Sequence, residues 1–266
     1  MPVAGCSFRF STAVVRRPGR SVVRGLRAVN RGMPDWDRFR TEHRAYVRAL
    51  ESAGVEVIEL GALEEFPDSV FIEDAALCLP EGIVLLKPGA PSRTAEAGAL
   101  GRDLASLGFE VTPGDSAGHI DGGDVLVTDS MVLVGLSQRT DRAGFEWLKA
   151  VLERWGYAVH AVHTPAEVLH FKSDCCVLDS DTVLASRRLA EAPCFEPFRV
   201  LTVPSGEEAA ANSVRINDTV LAPSGFPATT DLLLREGYAV ETVPVSQANL
   251  LDGGLSCMSL RWQQRK

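Results

Sequence analysis

The chain has 266 residues, 45% of them hydrophobic and 23% charged, with a formal net charge of −8 at neutral pH. That length suits one large domain or two small ones, and the balance is that of a globular protein. The acidic surplus argues against nucleic-acid or anionic-membrane partners, which need a basic surface, and no apolar run reaches the roughly 20 residues of a membrane span.

In the N-terminal "MPVAGCSFRFSTAVVRRPGR" the arginines follow the apolar stretch instead of preceding it, so it does not read as a signal peptide, and a cytoplasmic location is expected. Cysteines stand at 6, 78, 175, 176, 194 and 257 without a C-x-x-C pair. Their spacings match no small secreted framework and no structural zinc site, so all six are expected to be reduced.

The first predicted helix contains the polar "RFRTEHRAYVRAL", where His43 is expected on a solvated face. It ends at "LESAGVEV" (50–57), and the same junction recurs as "LASLGFEV" (104–111), "LERWGYAV" (152–159) and "LLREGYAV" (233–240). Each places a leucine four residues before a glycine and a valine three after it. This is the signature of an amphipathic helix stopping at a C′ glycine, with a strand beginning at once. The glycines are 54, 48 and 81 residues apart, and the wide gap has room for a shorter, degenerate copy over roughly 170–205, ending in "RVLTVP". Five strand–strand–helix–strand (ββαβ) units without polar capping units predict a closed ring of α/β modules, against the alternative of a doubly wound sheet.

Polar residues open the first strand of each unit: "PDSVFIEDAALCL" (67–79), "HIDGGDVLV" (119–127), "HFKSDCCVL" (170–178), "AANSVRI" (210–216) and "DGGLSCMSL" (252–260). Asp74, Asp121, His170, Asn212 and Cys257 follow one another at intervals of 47, 49, 42 and 45 residues. In a ring of equivalent units, equivalent positions converge on the axis. Two acids, a histidine, an amide and a thiol are therefore expected in one central channel.

A thiol needs a nearby cation, or a cationic substrate, to act as a nucleophile near neutral pH. Asp68, Glu73, Asp74, Asp121 and Asp124 lie in apolar, glycine-containing surroundings, where carboxylates are seldom buried without a partner. Several around one channel would form a cage for a planar, polydentate cation such as a guanidinium group. Thiol attack at its carbon, departure of an amine and hydrolysis of the thiouronium then make a coherent reaction. His119, two residues before Asp121, is the weaker acid–base candidate; His160 and His163, three apart on a strand, make a poor metal pair.

The motifs "PDSVFIED", "KPGAPSR" (87–93), "DGGDVLV", "VGLSQRT" (134–140), "HFKS" and "DGGLSCMSL", in that order, resemble the dimethylarginine dimethylaminohydrolase family of the guanidino-group-modifying pentein superfamily. The N-terminal part matches only loosely, through "RRPGRSVVRGLR". The resemblance implies a five-bladed pseudo-fivefold α/β propeller, with residues 1–266 forming one catalytic domain around a central channel. It implies that Cys257 attacks the guanidinium carbon of an Nω-methylated arginine, giving citrulline and a methylamine. His170 would serve as general acid and base, with Asp121 orienting it. Asp74 would bind guanidinium nitrogens, and Phe71 and Glu73 of the same motif join the substrate set. Asp68 would hold the α-amino end, Arg93 and Arg139 the α-carboxylate, and the segment around 19–31 a mobile lid. No metal or organic cofactor is implied, and a homodimer is compatible. His170-Phe171-Lys172 lacks the His-x-Asp acid of arginine deiminases and amidinotransferases, favouring an alkylated nitrogen. A deiminase or other guanidine hydrolase on the same scaffold, and a non-catalytic binding module, are the rival expectations.

Overall fold

The computed structural model describes residues 5–263. Among them are five sheets of three strands each. The first blade holds β1 (Thr12–Arg16), α1 (Trp36–Ser52) and β2 (Glu56–Leu60), and the second β3 (Ala76–Leu79), β4 (Gly82–Leu85), α2 (Glu96–Ser106) and β5 (Val111–Thr112). The third has β6 (Val125–Val127), β7 (Val132–Leu136), α3 (Arg142–Arg154) and β8 (Val159–His163). The fourth has β9 (Cys175–Val177), β10 (Thr182–Ala185) and β11 (Arg199–Thr202). The fifth has β12 (Val214–Ile216), β13 (Thr219–Pro223), α4 (Pro227–Arg235) and β14 (Ala239–Val243). After the short helix α5 (Ser246–Asn249), β15 (Ser259–Trp262) pairs antiparallel with β1, Thr12 opposite Trp262, so the two ends of the chain close the ring in one sheet.

In every blade the middle strand runs antiparallel to the inner strand and parallel to the outer one. A parallel pair needs a crossover, which a helix normally supplies. The four junction glycines lie in the left-handed region, with φ of +86° at Gly54, +85° at Gly108, +88° at Gly156 and +89° at Gly237. They are C′ residues that turn helix into strand, as their spacing predicts. The fourth blade is the degenerate copy: Pro193 and Pro197 forbid a regular helix, and a single 3-10 turn, Pro193–Phe195, makes its crossover. Elsewhere, local chemistry sets the helix starts. Asp35 accepts the Arg38 N–H at 2.7 Å to cap α1, and Asp141 accepts the Gly144 N–H at 2.8 Å to cap α3; such caps are worth about 1 kcal/mol each.

The apolar clusters join adjacent blades. One cluster joins Leu77 and Val84 of the second blade to Val125, Val134 and Leu148 of the third; another joins Val14 and Leu260 of the first to Ile83 and Leu100 of the second. The inner strands β3, β6, β9, β12 and β15 surround an axial cavity of about 760 Å³. No helix among the described residues is long and apolar enough to cross a membrane.

Two expectations change. His43 is not on a solvated face: it is 1% exposed, and burial lowers its pKa to about 4. It shares the inward side of α1 with Phe39, Tyr46 and Leu50, so a run rich in charged residues hid an apolar stripe. The polar openings also prove to be one-turn 3-10 helices that precede the inner strands, rather than strand residues. A polar side chain at such a turn reaches the end of the ring without interrupting a sheet.

Candidate active site

The five 3-10 turns meet at one end of the axis. Asp74 lies within the turn Ile72–Ala75 and Cys257 within Ser256–Met258; Asp121 and His170 immediately precede Gly122–Asp124 and Phe171–Ser173, and Asn212 follows Glu208–Ala211. They enclose a cleft of about 420 Å³ lined by Asp68, Phe71, Asp74, Arg93, Arg139, His170 and Cys257, and roofed by Leu26, Arg27 and Ala28.

His170 Nε2 lies 2.9 Å from Asp121 Oδ2. Asp121 is fully buried behind the ring, its other oxygen accepting the Gly89 N–H at 2.7 Å. One ligand atom each of Asp74, Asp121 and His170 falls within 4.8 Å of the others. Burial disfavours the imidazolium, but Asp74, the Asp121 hydrogen bond and Asp124 outweigh it and push the His170 pKa up to about 9. The Cys257 thiol, 9% exposed, is pushed the opposite way, to about 12, by burial and by the charges of Glu73 and Asp74. Its Sγ accepts the Gly254 N–H at 3.4 Å. At neutral pH the resting pair is thus imidazolium and neutral thiol.

The doubled glycines are there for space. A Cβ on Gly122 would sit 2.0 Å from the Glu73 carbonyl oxygen, and one on Gly123 2.9 Å from Asp74 Oδ1 and from His170 Nδ1. One on Gly253 would enter the Phe71 ring at 2.2 Å.

The acids divide by direction. Asp68 and Asp74 line the cleft. Burial raises the Asp68 pKa, with the Arg93 charge opposing; Asp74, despite its burial, is held low by His170 and Arg93. Asp124 lies deeper and accepts from Ser137 Oγ and Thr140 Oγ1, each at 2.7 Å, and from the Phe171 N–H at 2.8 Å. Glu73 lines the axial cavity behind the cleft. Its Oε1 pairs with Lys172 Nζ at 2.7 Å and Arg261 Nη2 at 2.8 Å, while Oε2, equally buried, has no partner among the described residues.

The two arginines differ. Arg93 grips Glu96 with Nε at 2.9 Å and Nη2 at 2.6 Å, donates from Nη1 to Asp74, and reaches the Phe71 carbonyl at 2.9 Å. The forked carboxylate pairing expected of it toward a ligand is therefore made inside the protein. One Nη1 hydrogen remains. Arg139 is half-buried, and its guanidinium makes no hydrogen bond or ion pair with the described residues. Asn212 does not line the cleft; it holds the Cys257 turn, donating to Ser256 Oγ at 3.0 Å and accepting the Ser256 N–H at 3.0 Å. His119 lies outside the cleft, its backbone N–H on Asp141. The roof residues fall within the segment 19–31 expected as a lid, though none of them was singled out. Sequence reasoning missed Glu96 and Arg261, and Glu96 carries only the weak signal of an acid in the first turn of a helix, three residues after Arg93.

A family model described as N,N dimethylarginine dimethylhydrolase, eukaryotic, matches residues 36–179. The N(G),N(G)-dimethylarginine dimethylaminohydrolase of Pseudomonas aeruginosa is 34% identical over 95% of this chain and all of its own length. The protein of that name from Streptomyces coelicolor is 35% identical over 95% of this chain and 97% of its own. Among solved structures, a cysteine-to-serine mutant of the Pseudomonas aeruginosa protein complexed with citrulline superposes with a TM-score of 0.92, covering 96% of this chain and all of that one. A histidine-to-glycine dimethylarginine dimethylaminohydrolase, solved as an adduct with S-methyl-L-thiocitrulline, reaches 0.91 over 95% of this chain and all of that one. A cyanobacterial arginine dihydrolase domain, only 17% identical, shares the fold at 0.83, over 95% of this chain and 97% of that one. The chain belongs to the dimethylarginine dimethylaminohydrolase family.

Proposed function

We propose that this chain hydrolyses Nω-methylated L-arginine to L-citrulline and a methylamine, residues 1–266 acting as one catalytic unit. The observation that carries the reading is the convergence of Cys257, His170, Asp74 and Asp68 on one cleft. Membership of a family whose relatives are named for this activity supports it.

A methylarginine enters as a cation. Its guanidinium meets Asp74, the one of the two thiol-raising charges that lines the cleft, while Glu73 stays behind the cleft floor. Neutralising Asp74 and adding a cation beside the sulfur lets Cys257 lose its proton to solvent, and the thiolate attacks the guanidinium carbon to form a neutral tetrahedral adduct. His170, already an imidazolium, gives its proton to the methylated nitrogen as the C–N bond breaks. Amine and cationic thiouronium result. The now neutral imidazole takes a proton from water, whose hydroxide adds to the same carbon. Collapse then expels the sulfur, which takes up the hydroxyl proton and returns to the thiol, and leaves the ureido carbonyl of citrulline. Asp121 keeps Nε2 engaged throughout, so Nδ1 is the nitrogen that exchanges protons.

Asp68 has one oxygen on the Leu26 N–H at 2.8 Å and the other available to an α-ammonium group. Arg139 is the cation for the α-carboxylate, Arg93 adding its remaining hydrogen. Phe71 forms the apolar wall for the substrate's methylenes. Lys172, where deiminases carry an acid, neutralises Glu73 and leaves less charge around an alkylated nitrogen. Six unpaired cysteines support a reducing, cytoplasmic setting.

Citrulline release from arginine, monomethylarginine and asymmetric dimethylarginine, assayed in parallel, tests the reading. Turnover of the methylated substrates at least tenfold above arginine is expected. A preference for arginine would make the chain a deiminase, and no turnover of any of them would end the proposal.

A further inference from the structure

The segment Gly25–Arg31 forms the roof of the cleft without a core of its own. Leu26 and Val29 are exposed, so apolar packing does not hold it in place. Two backbone N–H groups do: Leu26 donates to Asp68 Oδ1 at 2.8 Å, and Ala28 to Asp252 Oδ2 at 2.5 Å. Arg31 Nη1 then donates to Asp252 Oδ1 at 2.9 Å. Asp252 thus spends both carboxylate oxygens on the roof, whereas Asp68 keeps one for the cleft. Asp252 also adopts φ of +56°, a left-handed conformation that costs a non-glycine residue and persists only where the surroundings impose it.

Ala28, Asp252 and Gly253 line the cleft on one side, and on the other a groove of about 1360 Å³ that reaches Arg188. The contact between roof and loop is therefore the partition between the two spaces. We infer that Asp252 is the latch of the roof, a positioning residue whose release joins the cleft to the groove and opens the way by which ligand enters and product leaves. Asp252 acts through Ala28 and Arg31 and not on the reacting atoms. Charge-assisted hydrogen bonds of this kind are strong enough to hold a short segment, yet weak enough to break on each turnover.

The inference rests on the proposed reading only in taking Cys257 as the group under the roof, and its test needs no substrate. Alkylation of Cys257 in the resting protein by iodoacetamide, mapped by mass spectrometry, measures how often the roof is open. Asp252→Gly, which suits the left-handed backbone, is expected to raise the rate about tenfold. Arg31→Ala, on an exposed side chain, is expected to raise it about threefold, and Arg31→Lys to restore it to within twofold of wild type. The pH dependence of alkylation keeps the same shape in all three, since access and not ionisation is altered. Rates within twofold of wild type in both Asp252→Gly and Arg31→Ala overturn the latch, as does acceleration traced to a lowered thiol pKa. Should Asp252→Gly lose its cooperative melt, Arg31→Ala decides alone.

Discussion

His170 Nε2 stands 2.9 Å from Asp121 Oδ2, and the far oxygen of that carboxylate is fixed by the Gly89 N–H at 2.7 Å. The buried ring is thus oriented from behind and kept charged up to a pKa of about 9. Asp121→Asn keeps the shape and removes the charge. It should lower kcat by ~10²-fold and move the basic limb of the pH–rate profile downward. A profile unchanged in position would separate Asp121 from the ionisation of His170.

The same pair makes a statement about stability. The folded pKa of His170 lies above its unfolded value of 6.5, so the native state binds the extra proton between 6.5 and about 9. Its contribution is fully present below 6.5 and is lost as pH rises through 9. Urea midpoints should fall across that window in the wild-type protein and fall less in Asp121→Asn. Parallel slopes would show that other groups dominate.

Burial and the Glu73 and Asp74 charges hold the resting Cys257 thiol at about 12. Iodoacetamide should therefore label Cys257 slowly at neutral pH, with a rate that climbs through pH 10 without a plateau. Cys257→Ser should abolish citrulline release while leaving the thermal melt intact, because a hydroxyl is far harder to ionise there. A labelling plateau near pH 7 would mean a preformed thiolate and a different first step.

Gly122 and Gly123 are adjacent, yet their substitution should fail differently. A Cβ on Gly123 meets the His170 ring and Asp74 Oδ1, movable side chains at 2.9 Å. Gly123→Ala should fold and lose most of its kcat. A Cβ on Gly122 meets a carbonyl oxygen of the backbone at 2.0 Å, so Gly122→Ala should lose stability as well. Melting temperature and kcat, measured on both, separate the two effects.

What could be read along the chain was what is locally encoded. A C′ glycine dictates its own left-handed turn, so the four junctions at Gly54, Gly108, Gly156 and Gly237 betrayed the repeat. The ring's symmetry then carried Asp74, Asp121, His170 and Cys257 to one end of the axis. Groups defined by a distant partner stayed hidden. Lys172 and Arg261 matter because Glu73 meets them across the channel, and His43 is inside because α1 turns that side toward the fifth blade. The direction of Glu73 was equally unreadable: it and Asp74 are neighbours in a one-turn helix that sends them to opposite sides of the cleft floor.

Arg93 and Arg139 both line the cleft, but only Arg139 has its whole guanidinium free to bind, Arg93 keeping a single hydrogen. Arg93 neutralises Glu96 and Asp74, both almost wholly buried. Removing one partner of such a buried network leaves charges uncompensated, so Arg93→Ala should cost about 3–5 kcal/mol of stability, read from urea denaturation. Arg93→Lys should rescue little, because an ammonium cannot reproduce the fork on Glu96. Arg139 has no such internal duty. Arg139→Ala should leave the urea midpoint where it was and raise KM by ~10-fold or more, with a smaller change in kcat, as expected when a contact made equally in ground and transition states is lost. If instead Arg139→Ala unfolded the protein, or left KM unchanged, the α-carboxylate would have to be bound by another group.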